Sequence, residues 1–218
     1  MKIDLHVHSS EMSLCAVQNN EQTVRAYAEA GYDAIVLTNH FDPGTCHVMK
    51  QNGLADYYAA HKACGEAAAA LGRQYGLLVL YGCELRVRQN INDYLVYGAP
   101  DSLFSDLDAL FAMDNAALKA RADADGFLLY QAHPFRVHMT IVQPQLLHGI
   151  EIKNGAPVHD SNNAIAREWA EKYGLKSIAG SDCHSREGVG ITGIETEAAV
   201  TDMPSLVQVL RDENYRIL

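Results

Sequence analysis

The sequence predicts an α/β fold, a single closed or nearly closed barrel of strands with helices between them. Two observations predict it: short apolar runs alternate with helical patterns from end to end, and metal-ligand residue types recur at the C-terminal ends of those runs. A third keeps it to one unit, spanning residues 1–218. No low-complexity segment, no repeat of 20 to 50 residues and no Pro/Ser linker interrupts the 218 residues.

In chain order the first run, Ile3 to Val7, is followed by an alanine-bearing helix at Thr23–Ala30 and a strand at Ala34–Thr38. A long helix from Ala55 to Tyr75 leads to the strand Leu77–Gly82, then to Tyr94–Tyr97, a helix at Asn115–Ala124 and the strand Phe127–Gln131. Gly149–Ile152, a helix from Asn162 to Tyr173 and Lys176–Ala179 bring the strands to seven. A helix at Met203–Asp212 and a short run at Tyr215–Ile217 close the chain. An open doubly wound sheet shares this rhythm, but no GxGxxG or GxxxxGK[ST] turn follows any strand, so nucleotide-cradling loops are not expected.

Composition narrows the class. With 48% hydrophobic and 20% charged residues the chain buries a sizeable core, about 70% of its unfolded surface for this size, which excludes disorder and coiled coil. The formal charge of −10, with no Lys/Arg cluster, offers no footprint for long nucleic acid or an anionic membrane; a small phosphorylated substrate is the expected partner. The five cysteines form no CxxC pair and follow no signal-like segment, and no apolar stretch has the length of a membrane span, so a cytoplasmic location is expected.

The ligand-type residues cluster at strand ends, which in a parallel barrel share one face. In Asp4-Leu5-His6-Val7-His8 the period of two places His6 and His8 on one side, with Asp4 at the same parity as an orienting or sharing carboxylate. Asn39-His40 follows the second strand; a single His there serves equally as a satisfied polar residue. Glu84 follows Leu77–Gly82, where an unpaired charge is costly without a cation, although Arg86 or Arg88 also offers it a rim salt bridge. His133 and the pair Asp182 and His184 follow two further runs. Five such clusters exceed what packing demands. Imidazole with carboxylate suits Zn, Mn or Fe, and the ligand count points to two or more divalent ions sharing Glu84.

These segments, Asp-Leu-His6-Val-His8, Thr-Asn-His40, Gly-Cys-Glu84-Leu, Ala-His133-Pro and Ser-Asp182-Cys-His184, resemble the polymerase and histidinol phosphatase (PHP) family across nearly the whole chain. The DxHxH element alone is shared with amidohydrolase barrels. The resemblance implies a distorted (β/α)7 barrel with two or three divalent ions at the C-terminal face of the strands, and phosphoesterase activity. It implies His6, His8, Glu84 and Asp182 as the shell of one ion, with His40, His133 and His184 shared among the others. Two departures stand out. Where the family carries an Asp or His after the HxH pair, Glu11 is the candidate; where it carries a His after Glu84, Asp93 is, although Asp93 precedes its apolar run instead of following it.

The mechanism expected is attack on phosphorus by a hydroxide bridging two ions, with Glu84 as the shared bridge and His133 or His184 ligating or relaying a proton to the leaving oxygen. Arg136, one step beyond His133, is a guanidinium clamp for the phosphate, with Arg86 and Arg186 less well placed. Lys153, Asn154, Gly155 and His159 sit at another strand mouth, as candidates for substrate recognition. His47, His61, His138 and His148 read as ordinary surface or packed histidines, and Cys183, of opposite parity to its neighbours, as a small hydrophobe in the wall. Two other functions remain open: a binuclear hydrolase of C–N bonds, for which Lys153 is the nearest candidate bridge, and a non-catalytic metal-binding domain. Monoester and diester are not distinguished.

Overall fold

A computed structural model describes residues 1–218. The elements run β1 (Lys2–Val7), α1 (Asn20–Glu29), β2 (Ala34–Leu37), β3 (His40–Phe41), α2 (Pro43–Gln51), α3 (Tyr57–Tyr75), β4 (Leu78–Tyr81) and β5 (Cys83–Arg86). They continue with β6 (Asp93–Tyr97), α4 (Leu107–Ala112), α5 (Asn115–Asp125), β7 (Leu128–Gln131), β8 (Gly149–Asn154), α6 (Asn163–Tyr173), β9 (Lys176–Gly180), β10 (Ile194–Glu195), α7 (Met203–Asp212) and β11 (Arg216–Ile217). No helix is long and apolar enough to cross a membrane.

The strands form a mixed α/β fold in two sheets, β11-β10-β1-β2-β4 and β3-β5-β6-β7-β8-β9. Where the sequence predicts one run at Leu77–Gly82, the chain makes two strands. Gly82 breaks the run and passes so close to the next hairpin that a Cβ there would lie 2.3 Å from Val96 O, so only glycine permits the step from one sheet to the other. At the opposite seam β1 and β9 approach each other, with a parallel bridge between Val7 and Cys183 and a bond from His8 N to Cys183 O at 3.0 Å.

The strands are buried on both faces. Ile3, Leu5, Ala34, Val36, Leu95, Tyr97, Tyr130 and Ile178 form one apolar cluster, into which α7 inserts Leu206 and Leu210. The alternate residues Ile35, Leu37, Val96 and Leu129 pack instead against Val24, Tyr27, Ala68, Leu118 and Ala166 of the surrounding helices.

Two departures from a regular parallel arrangement decide where the polar residues go. The register of β1 against β2 shifts between Asp4 and Val7, and His6 N donates to Asp4 Oδ1 at 3.1 Å across that bulge. Asp4 therefore does not share a side with His6 and His8, as simple alternation predicts. It turns toward α1, accepting from Tyr27 Oη at 2.7 Å and from Ser181 N at 2.9 Å. Second, β6 runs antiparallel to both β5 and β7. Its first residue, Asp93, consequently lies level with Arg86 and next to the C-terminal end of β7, which explains how a residue preceding its strand joins residues that follow theirs.

Candidate metal centre

The end of β1, the β2–β3 step, the start of β5 and the segments after β7 and β9 bring His6, His8, His40, Glu84, His133, Asp182 and His184 together. Glu84, 1% exposed, is the hub. Its Oε1 lies 3.0 Å from His133 Nε2 and 3.4 Å from His6 Nε2; its Oε2 lies 2.9 Å from His40 Nδ1 and 3.4 Å from His8 Nε2. Asp182 Oδ1 lies 3.4 Å from both His6 Nε2 and His8 Nε2. Donor atoms within 4.8 Å of one another form three groups: His6, His8 and Asp182; His6, Glu84 and His133; and His8, His40 and His184.

Hydrogen bonds behind the rings fix which nitrogen points inward. Asn39 Oδ1 accepts from Ser9 N at 2.7 Å and from Ser13 Oγ at 2.9 Å. With its proton spent on Asn39, Ser13 Oγ accepts from His8 Nδ1 at 2.9 Å, so the neutral His8 ring turns a lone pair inward on Nε2. Glu151 Oε1 accepts from His6 Nδ1 at 3.0 Å, and the Asp182 carbonyl accepts from His184 Nδ1 at 3.0 Å, with the same result. His6 Nε2, His8 Nε2 and His133 Nδ1 are buried with no hydrogen-bond partner. Orphaned polar nitrogens in a dry interior are costly unless something binds them, and a divalent cation fits both the donors and their chemistry.

Electrostatics point the same way. Burial pushes the Glu84 carboxyl up, but His6 and His40 and the bond from His133 outweigh it and hold it well below the ordinary carboxylate range. Burial alone lowers His6, yet Asp182, Glu151 and Glu84 hold it well above its usual value. Carboxylates around that ring call for positive charge at its Nε2. His8 goes down, through burial and then through the neighbouring His184. His133 and Asp182 both take positive φ, 29° and 49°, a backbone strain concentrated on residues that face the cluster.

The remaining predicted residues are placed as follows. Asp93 reaches the edge of the cluster, 3.9 Å from His133 Nε2, and is clamped by Arg86 through two 2.7 Å bonds. Burial and then Glu84 push its carboxyl up against the pull of that arginine. Arg136 donates to Asp182 Oδ2 at 2.6 Å and to Asn154 Oδ1 at 2.8 Å. Both guanidinium groups are thus engaged by cluster carboxylates. Glu11 stands apart, both oxygens accepting from Asn20 N at the start of α1, at 2.9 and 3.1 Å. Lys153 Nζ donates to the carbonyl oxygen of Leu218, and Arg186 faces Glu29 at 3.6 Å. Asn154 bonds to Glu151 and Asp182, while His159 lines the mouth. Cys183 is buried, its thiol donating to Ser185 O.

Sequence reasoning passes over Glu151, which holds His6 and accepts from His133 N at 2.9 Å. Its signal is an acid between Ile150 and Ile152 in an apolar strand. It also passes over Cys15, whose thiol interacts with the rings of His40 and His184. Burial opposes ionisation of that thiol, but the two imidazoles bring it down to about 6. The cluster opens into a pocket of about 290 Å³ bordered by Cys15, Arg86, Arg136 and His159. A larger cavity of about 470 Å³ lies elsewhere; in its lining His61 pairs with Asn39 O, and Lys62 with Asp101.

A family model described as PHP-associated matches residues 160–215. The chain is 25% identical over 211 residues to DNA polymerase III PolC-type of Oceanobacillus iheyensis, covering 97% of this chain and 11% of the polymerase. It therefore spans about a tenth of that relative's length. Among solved structures, one from Bifidobacterium adolescentis described as a metal-dependent phosphoesterase is similar over 95% of both chains, at 13% identity and a TM-score of 0.55. The chain is thus similar to the PHP family through that model, which covers about a quarter of its length, and through the fold of the phosphoesterase.

Two further solved structures share the fold. PsfC from Pseudomonas syringae is similar over 99% of this chain and 90% of its own, with 20% identity and a TM-score of 0.66. Endonuclease Q, solved with a 27-mer duplex carrying an abasic lesion at its active site, is similar over 97% of this chain and 56% of its own, with 12% identity and a TM-score of 0.58. This last likeness corrects the expectation of a small phosphorylated partner to the exclusion of long nucleic acid. The fold serves an enzyme of duplex DNA, and the polymerase relative too is a nucleic-acid enzyme. Net charge, a sum over the whole surface, does not describe the field at one pocket mouth.

Proposed function

We propose that this PHP-like chain hydrolyses a phosphate ester, with phosphodiesters of nucleic acids among its substrates, at a cluster of two or three divalent ions (Zn, Mn or Fe). The observation that carries the reading is the set of histidines whose outer nitrogens are fixed as donors, so that buried, unpartnered Nε2 atoms converge on the Glu84 and Asp182 carboxylates. His6, His8, Glu84 and Asp182 would hold one ion, His133 and Asp93 together with Glu84 a second, and His40 and His184 the outermost. Bound ions would supply a water of lowered pKa and offset charge on the phosphoryl oxygens.

The chain's own groups do the rest. Arg136 holds Asp182 in place and sets a cation beside the mouth, and Arg86 does the same for Asp93. Of the histidines in the cluster, His133 is 3% exposed at its side chain and His184 28%, so His184 stands nearest the pocket mouth. The two sheets act as staves of one distorted barrel, whose strand ends carry the cluster. Against a C–N hydrolase, Lys153 is tied to the C-terminal carbonyl and a glutamate occupies the bridging place.

The test is to measure the metal content of the purified chain and assay monoester, dinucleotide and abasic or intact oligonucleotide substrates with added Mn, Fe or Zn. Metal-dependent release from at least one ester is expected. Stoichiometric metal with no turnover of any ester leaves the non-catalytic reading in its place.

A further inference from the structure

The strand β4 ends its sheet, and its outer edge borders the cavity of about 470 Å³. On the inner edge Leu78 N donates to Asp33 O and Gly82 N to Leu37 O, both at 3.0 Å, in the pairing with β2. Backbone groups alternate sides along a strand, so Val79 and Tyr81 turn their N–H and C=O outward, into the cavity. Val79 C=O and Tyr81 N–H then stand side by side, as the acceptor and donor that one residue of a neighbouring strand would take up. Val79 is buried, so these groups lie in a recess and not on an open surface.

The shape of the recess decides what can take them up. β4 leads through Gly82 into β5, whose Cys83 pairs with Val96 of β6, and a Cβ on Gly82 would lie 2.3 Å from Val96 O. Past Tyr97 the chain turns away at Gly98, with φ 80°, so the space is a wedge whose apex is at Gly82. An extended peptide added to β4 would run into that apex within four residues, whereas a compact flat molecule fits. The walls suit an aromatic ring: Tyr58 stacks on Phe104 at 4.5 Å and 9°, and Val79, Val96 and Met203 border the rest. Lys62 and Asp101 pair with each other at 2.6 Å at the exposed rim, which leaves no spare charge for an ionic ligand.

We propose that this wedge is a binding site, separate from the metal cluster, for a neutral flat nitrogen heterocycle of nucleobase type, whose ring nitrogen accepts from Tyr81 N–H while its adjacent amine donates to Val79 C=O. The β5 backbone divides the two sites, since Cys83 borders the wedge and Glu84 the cluster. The wedge site stands whether or not the cluster hydrolyses esters.

The test uses calorimetry on the full chain with adenosine and cytidine, which carry that donor and acceptor side by side, and with N6,N6-dimethyladenosine, which lacks the donor. At least one of the two nucleosides should bind, and dimethylation should weaken adenosine at least about tenfold. Tyr81→Pro removes the outward N–H without touching the ladder to β2 and should weaken binding by a similar factor. Ala99→Leu narrows the wedge from its other wall and should do the same, which keeps the test decisive if Tyr81→Pro does not fold. Light-driven labelling with 8-azidoadenosine should mark Tyr58, Tyr81 or Met203. Binding of neither nucleoside, equal binding of the dimethylated analogue, undiminished binding in folded variants, or labels at Arg136 or His159 beside the metal cluster would each overturn the proposal, and none of these results bears on ester hydrolysis.

Discussion

A histidine ligates only if its other nitrogen is held, and Glu151 does that for His6. Replacing Glu151 by Gln keeps the shape but loses the charge that steadies the imidazole. Metal affinity should fall about 10–100-fold, as measured by chelator competition. His61 shows the opposite kind of histidine: buried against Phe41 and Tyr57 and donating from Nε2 to Asn39 O, it is driven down to about 4 by burial. Its unfolded value is near 6.5, so the unfolded state binds the extra proton first. Stability from this group is full above pH 6.5 and lost as pH falls toward 4, about 2 kcal/mol between pH 7 and pH 5. Urea titrations at the two pH values should show that much less acid sensitivity in His61→Gln than in the wild type; equal sensitivity would show that His61 does not set it. The contrast also shows what single residues disclose. His6, His8, Glu84 and Asp182 are legible because they stand at strand ends. Glu11 is not placed by sequence, because it lies in an irregular loop whose backbone path turns it toward Asn20 and away from the cluster.

At the scale of elements, the site depends on strands that are slightly out of order. The β1 bulge turns Asp4 to the helix side while His6 and His8 point together, and antiparallel β6 delivers Asp93 from its N-terminal end. Neither is readable from alternating hydrophobicity, which reports that a strand exists but not its direction or a one-residue slip. The boundaries of β7, β9 and α7 are readable, since a glycine stands beside each of the two strands and the capping Asp202 before the helix. The close approach of β9 to β1 is set by Gly180, where a Cβ would lie 2.3 Å from His6 Cβ and 2.7 Å from His6 N. Gly180→Ala should cost about 1–3 kcal/mol by denaturant titration and weaken metal binding through displacement of His6. An alanine variant with native stability and affinity would show that the two strands can part without consequence.

For the whole molecule, a charge of −10 is compatible with the proposed function because divalent ions bound at the cluster would neutralise its acids at the pocket mouth. Arg86 and Arg136 are already committed to Asp93 and Asp182, so few free cations border the mouth. If an oligonucleotide binds, its affinity should depend on metal more than on salt, with a log–log salt slope of about −1 to −2 instead of the steep slope of a protein making 6–10 phosphate contacts. A steep slope would mean a basic surface outside the pocket carries the strand. The most direct measurement of the central claim is metal content and ester hydrolysis of Glu84→Gln beside the wild type. Removing the charge shared by His6, His8, His40 and His133 should strip metal and cut hydrolysis by about 3 kcal/mol of barrier, a hundredfold or more. Full metal occupancy and full activity in Glu84→Gln would contradict the account.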